Sequence, residues 1–284
     1  MTAPRDLVGA AVRRLDAAGV ESPDHDAREL LAHVLGIRRG ALALLDDVPA
    51  EAASTYAALI DRRVGREPLQ HLTGVAHFRH VELAVGPGVF VPRPETELLA
   101  GWAIDAARRA AHEGRACRVV DLGTGSGAMA KSIKDEVPSA DVHAVELDER
   151  AHAFAARNLA GTGVELRQGD LADAFEDLDG TVDVVVSNPP YIPHEAWESV
   201  VPEVRDHDPE LALFATGDGL DVIRVVERRA ARLLRLGGMV GVEHADAQGE
   251  SAPAVFSGTG AWQQVRDHPD LAGRARFLTA WLAR

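Results

Sequence analysis

Lysine is almost missing from this chain. Of 30 basic residues only Lys131 and Lys134 are lysines, and they sit three positions apart. Basic charge as a whole is outnumbered by 44 acidic residues, giving a formal net charge of −14. That balance does not suit a protein whose affinity comes from neutralising phosphates, so no direct nucleic-acid substrate is expected. Cysteine occurs once, at Cys117, which excludes an internal disulfide and a cysteine-based zinc site and points to a reducing compartment. No run of about 18 apolar residues is present, so no membrane-spanning helix is expected. Arg5, Asp6, Arg13 and Arg14 interrupt the segment where a signal peptide needs an unbroken apolar core. A cytoplasmic protein with no membrane partner is the expectation. No repeat or low-complexity stretch is evident.

What is present is ordinary for a folded protein. At 284 residues, 46% apolar and 26% charged, the chain suits one large domain or a medium one with a small companion. Residues 1–74 read as a helical bundle. Leu7, Val8, Ala11, Val12 and Leu15 form one helical stripe, and Ala27, Leu30, Leu31, Val34 and Leu35 form another behind Ser22-Pro23, an N-cap followed by a helix-starting proline. Residues 75–95 read as a β-hairpin linker, in a stretch where His71, His77 and His80 are expected to be exposed strand histidines. From 96 to 284 a helix opens and the pattern then alternates. Strands are expected near 118–121, 141–146, 164–168, 182–187 and 238–243, with helices near 127–137, 149–159 and 219–235, and two more strands in the tail. Strands alternating with helices predict an α/β domain with a parallel, doubly wound sheet.

The strand Val182–Ser187 runs into Asn188-Pro189-Pro190-Tyr191. Each proline fixes its own φ and pushes its predecessor towards extended backbone. The Asn188 amide oxygen and the Pro189 carbonyl can accept both hydrogens of a planar –NH2 group, and Tyr191 can stack on its plane. Upstream, Val119-Val120-Asp121-Leu122-Gly123-Thr124-Gly125-Ser126-Gly127 is a strand entering a glycine turn and then a helix. Glycines admit a ligand close to the backbone. About twenty residues on, Glu146 ends the next strand, where a carboxylate accepts ribose hydroxyls. Gly123-x-Gly125-x-x-Ala128 also satisfies the permissive dinucleotide pattern, so the loop by itself leaves NAD open. Asp121, suited to an ammonium group, and Asp170, suited to an adenine amine, tilt the reading to S-adenosyl-L-methionine. His194, His207 and His244 are read as structural or solvent-facing, and no residue is read as a metal ligand.

These two motifs resemble the amino-methyltransferases that use S-adenosyl-L-methionine. Arg66–Gly74, Gly86–Glu97, Asp208–Leu213, Asp218-Gly219-Leu220 and Glu243-His244 narrow the resemblance to the bacterial peptide chain release factor N5-glutamine methyltransferases (the HemK/PrmC family). The resemblance implies a Rossmann-like methyltransferase domain behind a small helical domain that docks the release factor. It further implies methylation of the glutamine in the release factor's Gly-Gly-Gln motif, with S-adenosyl-L-homocysteine as product. By position, Asp121, Gly123, Thr124, Gly125, Ser126, Gly127, Glu146, Asp170, Leu171 and Asn188 would hold the cofactor. Asn188, Pro189, Pro190 and Tyr191 would hold the amide, with Phe90, Arg93 and Thr96 walling the site; Asn188, Pro189 and Tyr191 would carry catalysis. Two departures stand out. Lys131 and Lys134 interrupt a helix that is usually apolar and share one of its faces, and Leu171 replaces an aromatic residue.

Other activities fit parts of this pattern: a glutamine methyltransferase acting on a large-subunit ribosomal protein, an adenine-N6 methyltransferase, or an idle binding protein on the same scaffold. An NAD oxidoreductase would need a hydride-site residue that is not found.

Overall fold

From Arg118 onward, alternating strands and helices build a seven-stranded sheet whose order in space differs from its order in the chain. The computed structural model describes residues 2–284. It divides into two compact units: the chain up to Val75 joined by Val201–His207, and Ala76–Val200 with Asp208–Arg284.

The first unit holds helices α1 (Pro4–Ala17), α2 (Pro23–Leu35), α3 (Ala50–Val64) and α4 (Leu69–Thr73), with a 3₁₀ turn over Arg39–Leu44. The expected stripes do the packing: Val8, Ala11, Leu15, Leu30, Leu31 and Ile60 are buried together. Pro23 starts α2 as predicted, although the Ser22 side chain makes no capping bond. Tyr56 is buried there and donates to the Ala27 carbonyl at 3.0 Å. Arg63, also buried, is held by Asp26 at 2.7 Å and by Glu203 at 3.0 Å; Arg66 binds the same Glu203. His71 corrects the expectation of exposed strand histidines. It lies on α4 and is buried, whereas His77 and His80 are exposed.

The second unit opens with the hairpin β1 (Val75–Phe78) and β2 (Val81–Ala84), then α5 (Thr96–His112). The parallel part follows: β3 (Arg118–Leu122), α6 (Ala128–Glu136), β4 (Asp141–Glu146), α7 (Glu149–Leu159), β5 (Glu165–Gln168) and β6 (Val182–Ser187). After β6 come β7 (Ile192–Pro193), α8 (Pro202–Arg205, in the first unit), α9 (Glu210–Leu213), β8 (Phe214–Ala215) and α10 (Asp221–Leu233). The chain closes with β9 (Leu234–Glu243), α11 (Ser251–Thr259), β10 (Trp262–Pro269) and β11 (Ala275–Leu282). Strand order is β10-β11-β9-β6-β3-β4-β5. Strands β9, β6, β3, β4 and β5 run parallel; β11 and β10 are antiparallel additions at one edge.

Burial follows the two-residue period of a strand covered on both faces. Val184 and Val186 of β6 face a core shared with α5, α6, α7 and the hairpin, while Val185 faces α10 and α11. Strand β9 begins at Leu234, four residues before the expected 238, because Leu234 already pairs with Val182. The two lysines of α6 turn out to be fasteners at the helix edge. Lys131 Nζ donates to the Glu82 carbonyl of the hairpin at 2.8 Å, and Lys134 Nζ donates to the carbonyls of Pro138 and Ala140 at 2.9 and 2.8 Å. Met129, Ala130, Ile133 and Val137 keep the buried stripe beside them.

Candidate active site

The chain turns one way from β3 through β4 to β5, then returns to lay β6 on the other side of β3. The crevice at the carboxyl ends of such strands is where open α/β sheets take ligands. Both sequence motifs lie there.

On one side is the glycine turn. Gly123, Gly125 and Gly127 have φ of 73°, 58° and 84°, left-handed values that a side chain makes costly. The amides of Gly123 and Thr124 donate to the Val145 carbonyl at 3.1 and 2.9 Å, which pulls the turn across towards β4. Glu146, at the end of β4, accepts the Gly125 amide on Oε2 at 2.7 Å and the Asp148 amide on Oε1 at 3.0 Å. Each oxygen keeps a lone pair. Burial pushes the Glu146 carboxyl up, against the pull of those amide donors. Asn158 on α7 braces the turn from behind. Its Nδ2 donates to the Ser126 and Ala84 carbonyls at 2.9 Å each, and its Oδ1 accepts the Ala84 amide at 2.7 Å.

Asp121 ends up fully buried. Its Oδ2 accepts from the Thr124 hydroxyl at 2.6 Å and the Ala130 amide at 3.2 Å, while Oδ1 has no partner. Burial pushes this carboxyl up to about 7, and the two donors oppose that rise. Asp170, exposed in the loop after β5, accepts the Ala172 amide on Oδ1 at 2.8 Å. Leu171 is half-buried and reaches to 3.9 Å from where a side chain on Gly123 would begin. A buried carboxylate oxygen without a partner, a second carboxylate with spare lone pairs and open space at Gly125 together fit the ammonium and ribose of S-adenosyl-L-methionine. Among the described residues no group of three or more His, Cys, Asp or Glu is arranged to hold a metal ion.

On the other side is the end of β6. Ser187 donates to the Leu122 carbonyl at 2.7 Å, locking β6 against β3. Asn188 is half-buried and its Nδ2 donates to the Thr96 hydroxyl at 3.2 Å. That bond commits the amide's donor end and leaves Oδ1 as its free acceptor. Pro189 is buried, and Pro190 and Tyr191 are half-buried. The Tyr191 phenol donates to Glu243 Oε1 at 3.1 Å; burial first, then the neighbouring carboxylate, raises the phenol's pKa. The Tyr191 carbonyl accepts from Gln248 Nε2 at 3.1 Å. Phe90 and Arg93 form a stacked pair, with the guanidinium 4.8 Å from the ring centroid, and Arg93 also binds Asp208 at 2.5 Å. Burial pushes Asp208 up to about 6, with Arg93 pulling the other way. Thr96, expected on the wall of the site, is buried behind Asn188.

Sequence reasoning gave no role to Glu243, Asn158 or Gln248. Glu243 closes β9 beside the end of β6, a signal that depends on knowing that these two strands are neighbours. His244 is fully buried and tied to Asp267 and the Ala245 carbonyl at 2.9 Å each, which fits the structural reading.

Residues 6–74 match a family model described as PrmC N-terminal domain, and residues 106–206 match one described as Methyltransferase small domain. The release factor glutamine methyltransferase of Streptomyces coelicolor is 57% identical over 96% of this chain and 96% of its own length. That of Mycolicibacterium smegmatis is 46% identical over 99% of this chain and 98% of its own. A 4-amino-L-phenylalanine/4-methylamino-L-phenylalanine methyltransferase of Streptomyces pristinaespiralis is 42% identical over 91% and 89%. Among solved structures, the N-terminal domain of human METTL16 in complex with SAH aligns over 71% of this chain and 76% of that one, with a TM-score of 0.51 at 14% identity; that likeness is one of fold. With its two family domains in order and its near-full-length relatives, this chain belongs to the release factor glutamine methyltransferase family.

Proposed function

We propose that this chain methylates the side-chain amide nitrogen (N5) of the glutamine in the Gly-Gly-Gln motif of peptide chain release factors, using S-adenosyl-L-methionine and leaving S-adenosyl-L-homocysteine. The observation that supports this reading is the Asn188–Thr96 hydrogen bond, which commits Asn188 Nδ2 and leaves Oδ1 to accept; the Pro189 carbonyl is the second acceptor in this reading. Two fixed acceptors suit the two hydrogens of a planar amide. An amide nitrogen is a poor nucleophile because its lone pair is delocalised, and holding both hydrogens aims that nitrogen and favours pyramidal geometry. The cofactor, when bound, supplies a methyl group on a sulfonium centre, which is the electrophile. Positioning is then the protein's main contribution, and the proton leaves after transfer without a dedicated base.

Glu146 and the glycine turn hold the ribose and the polar end of the cofactor, and Asp121 Oδ1 takes its ammonium. Phe90 and Arg93 wall the substrate side, Leu171 covers the adenine, and the Tyr191 ring lies along the amide plane. The helical first unit docks the release factor. A cytoplasmic location goes with this reading, and no helix among the described residues is long and apolar enough to cross a membrane.

The test is intact-mass analysis of a purified release factor after incubation with the protein and S-adenosyl-L-methionine. A large-subunit ribosomal protein, duplex DNA and 4-amino-L-phenylalanine are run in parallel. One methyl on the release factor alone is expected. A methyl only on another acceptor would keep the amine pocket and move the substrate.

A further inference from the structure

Strand β6 pairs with its neighbours up to Ser187, opposite Leu122 and Val242, and pairing resumes at Ile192 in β7. Asn188-Pro189-Pro190-Tyr191 spans the gap, and its two prolines have no N–H to tie it down. At the near end Asn188 is bonded to Thr96. At the far end the Tyr191 carbonyl accepts from Gln248 Nε2 at 3.1 Å. Gln248 is buried at the end of a 3₁₀ turn, Asp246–Gln248, that follows β9. That turn is itself fixed. Ahead of it the His244 amide donates to the Arg276 carbonyl at 3.0 Å, and behind it a Cβ on Gly249 would stand 2.7 Å from the Ala275 side chain. Gly249 thus lets the turn lie against β11. A Cβ on Gly219 would strike both partners of the Gln248–Tyr191 bond, 2.8 and 2.6 Å away.

We propose that Gln248 is a positioning residue for the methyl-transfer site: it fixes the Tyr191 carbonyl, and through it the far end of the tetrapeptide that holds the substrate amide. The direction of the Gln248 carboxamide is not free. Its Oε1 accepts the Ala245 amide at 3.0 Å. A backbone N–H only donates and a backbone carbonyl only accepts, so Oε1 must face Ala245 and Nε2 must face Tyr191. Neither backbone partner titrates, so this polarity does not depend on a protonation state. One side chain therefore makes two bonds of different use. The bond to Ala245 closes the turn; the bond to Tyr191 reaches across to the pocket and lends the turn nothing. In the proposed reading Gln248 meets neither cofactor nor amide, so its effect on the reaction passes through Tyr191, whose other tether is the bond of its phenol to Glu243. Gln248→Glu separates the two bonds. It keeps an acceptor for Ala245 but sets an oxygen against the Tyr191 carbonyl, acceptor to acceptor. Gln248→Met, of similar length, loses both.

This inference rests on the proposed reading of the site as an amide pocket, so its test has one readout that does not need the substrate. The chain has two tyrosines, Tyr56 and Tyr191. Protein labelled with 13C at its tyrosine carbonyls therefore gives two signals, assigned with Tyr56→Phe. In the cofactor-free protein the Tyr191 signal is expected to move in Gln248→Glu and in Gln248→Met, while the Tyr56 signal stays in place. In turnover with a release factor, both variants are expected to lose about tenfold or more in kcat, since misplacement by about 1 Å can cost about a hundredfold. The dissociation constant for S-adenosyl-L-methionine is expected to stay within about twofold of wild type. Wild-type kcat in Gln248→Glu, with the loss confined to Gln248→Met, would reduce Gln248 to a cap on its own turn and overturn the proposal. So would an unmoved Tyr191 signal, or a loss of cofactor affinity that accounts for the whole fall in rate. Where the added charge unfolds Gln248→Glu, Gln248→Met decides: wild-type kcat overturns the proposal, and a lower kcat with a moved Tyr191 signal and unchanged cofactor affinity supports it. If the wild-type protein leaves the release factor unmethylated, the amide-pocket reading fails and a role for Gln248 in the reaction fails with it, while the Tyr191 signal still decides whether Gln248 holds that carbonyl.

Discussion

Glu146 Oε2 accepts the Gly125 amide at 2.7 Å, so the carboxylate at the end of one strand and the glycine turn at the end of its neighbour are one hydrogen-bonded unit. Glu146→Ala removes both an acceptor for the ribose and the brace on the turn. A hydrogen bond to a charged group contributes about 1.5–3 kcal/mol, which corresponds to roughly a ten- to hundredfold rise in the dissociation constant for S-adenosyl-L-methionine. Titration calorimetry measures it. Glu146→Gln, which keeps one acceptor for Gly125, should fall between wild type and alanine.

Gly219 carries a different load. Its φ is +78°, and a Cβ there would stand 2.6 Å from the Tyr191 carbonyl oxygen and 2.8 Å from Gln248 Nε2. No flexible side-chain end can relieve a collision with a backbone oxygen. Gly219→Ala should cost about 1–3 kcal/mol from the left-handed backbone alone, more with the displaced Tyr191. Urea unfolding reads the stability, and kcat should fall further than cofactor affinity does.

Buried carboxyls give the cofactor-free protein a pH signature. Asp121 and Glu243 are pushed up to about 7 and Asp208 to about 6, each chiefly by burial. A carboxyl whose pKa is raised by folding contributes its full stability below its unfolded value, about 4, and that contribution is lost as pH rises through the folded value. Thermal stability should therefore fall between pH 5 and pH 8. A tenfold change in acidity between the folded and unfolded protein corresponds to about 1.4 kcal/mol, so a few kcal/mol per group is the upper scale. Asp177 and Asp218, held near 2 by arginine partners, change below this window. Asp121→Asn should raise the melting temperature at pH 8 and do little at pH 5, as scanning calorimetry would show, while weakening cofactor binding.

Lys131 and Lys134 should matter to the fold and not to the reaction. Both donate to backbone carbonyls at the edge of α6. Replacing either with alanine should cost about 0.5–1.5 kcal/mol, the net contribution of one such hydrogen bond, and leave kcat unchanged. Denaturant midpoints beside methyl-transfer rates test this directly.

The elements that were legible in the sequence are those whose own residues repeat. The valines of β6, the helical stripes of α1 and α2, and the strand–glycine–helix run around Gly123 announce themselves locally. His71 misled because its neighbours look strand-like, yet Leu69–Thr73 forms a turn of helix that Gly74 closes in the left-handed conformation. The expected strand start at 238 missed Leu234, which already pairs with Val182. An irregularity in the β6–β9 pairing follows, where Gly237 takes a φ of 76° before Met239 pairs with Val184. The lysines looked misplaced until the hairpin carbonyl of Glu82 supplied an acceptor. Glu243 was the hardest to see. Its place beside Asn188 follows from strand order, which brings together residues 55 positions apart in the chain, and no local spacing encodes that.

The most direct test of the amide pocket is fragment mass spectrometry of a release factor after a single turnover with wild-type protein and with Asn188→Ala. Wild type should place one methyl on the side-chain nitrogen of the Gly-Gly-Gln glutamine. Asn188→Ala should place none while calorimetry shows that it still binds S-adenosyl-L-methionine. Transfer by Asn188→Ala at the wild-type rate, or a methyl mapped to any other residue, would contradict the account.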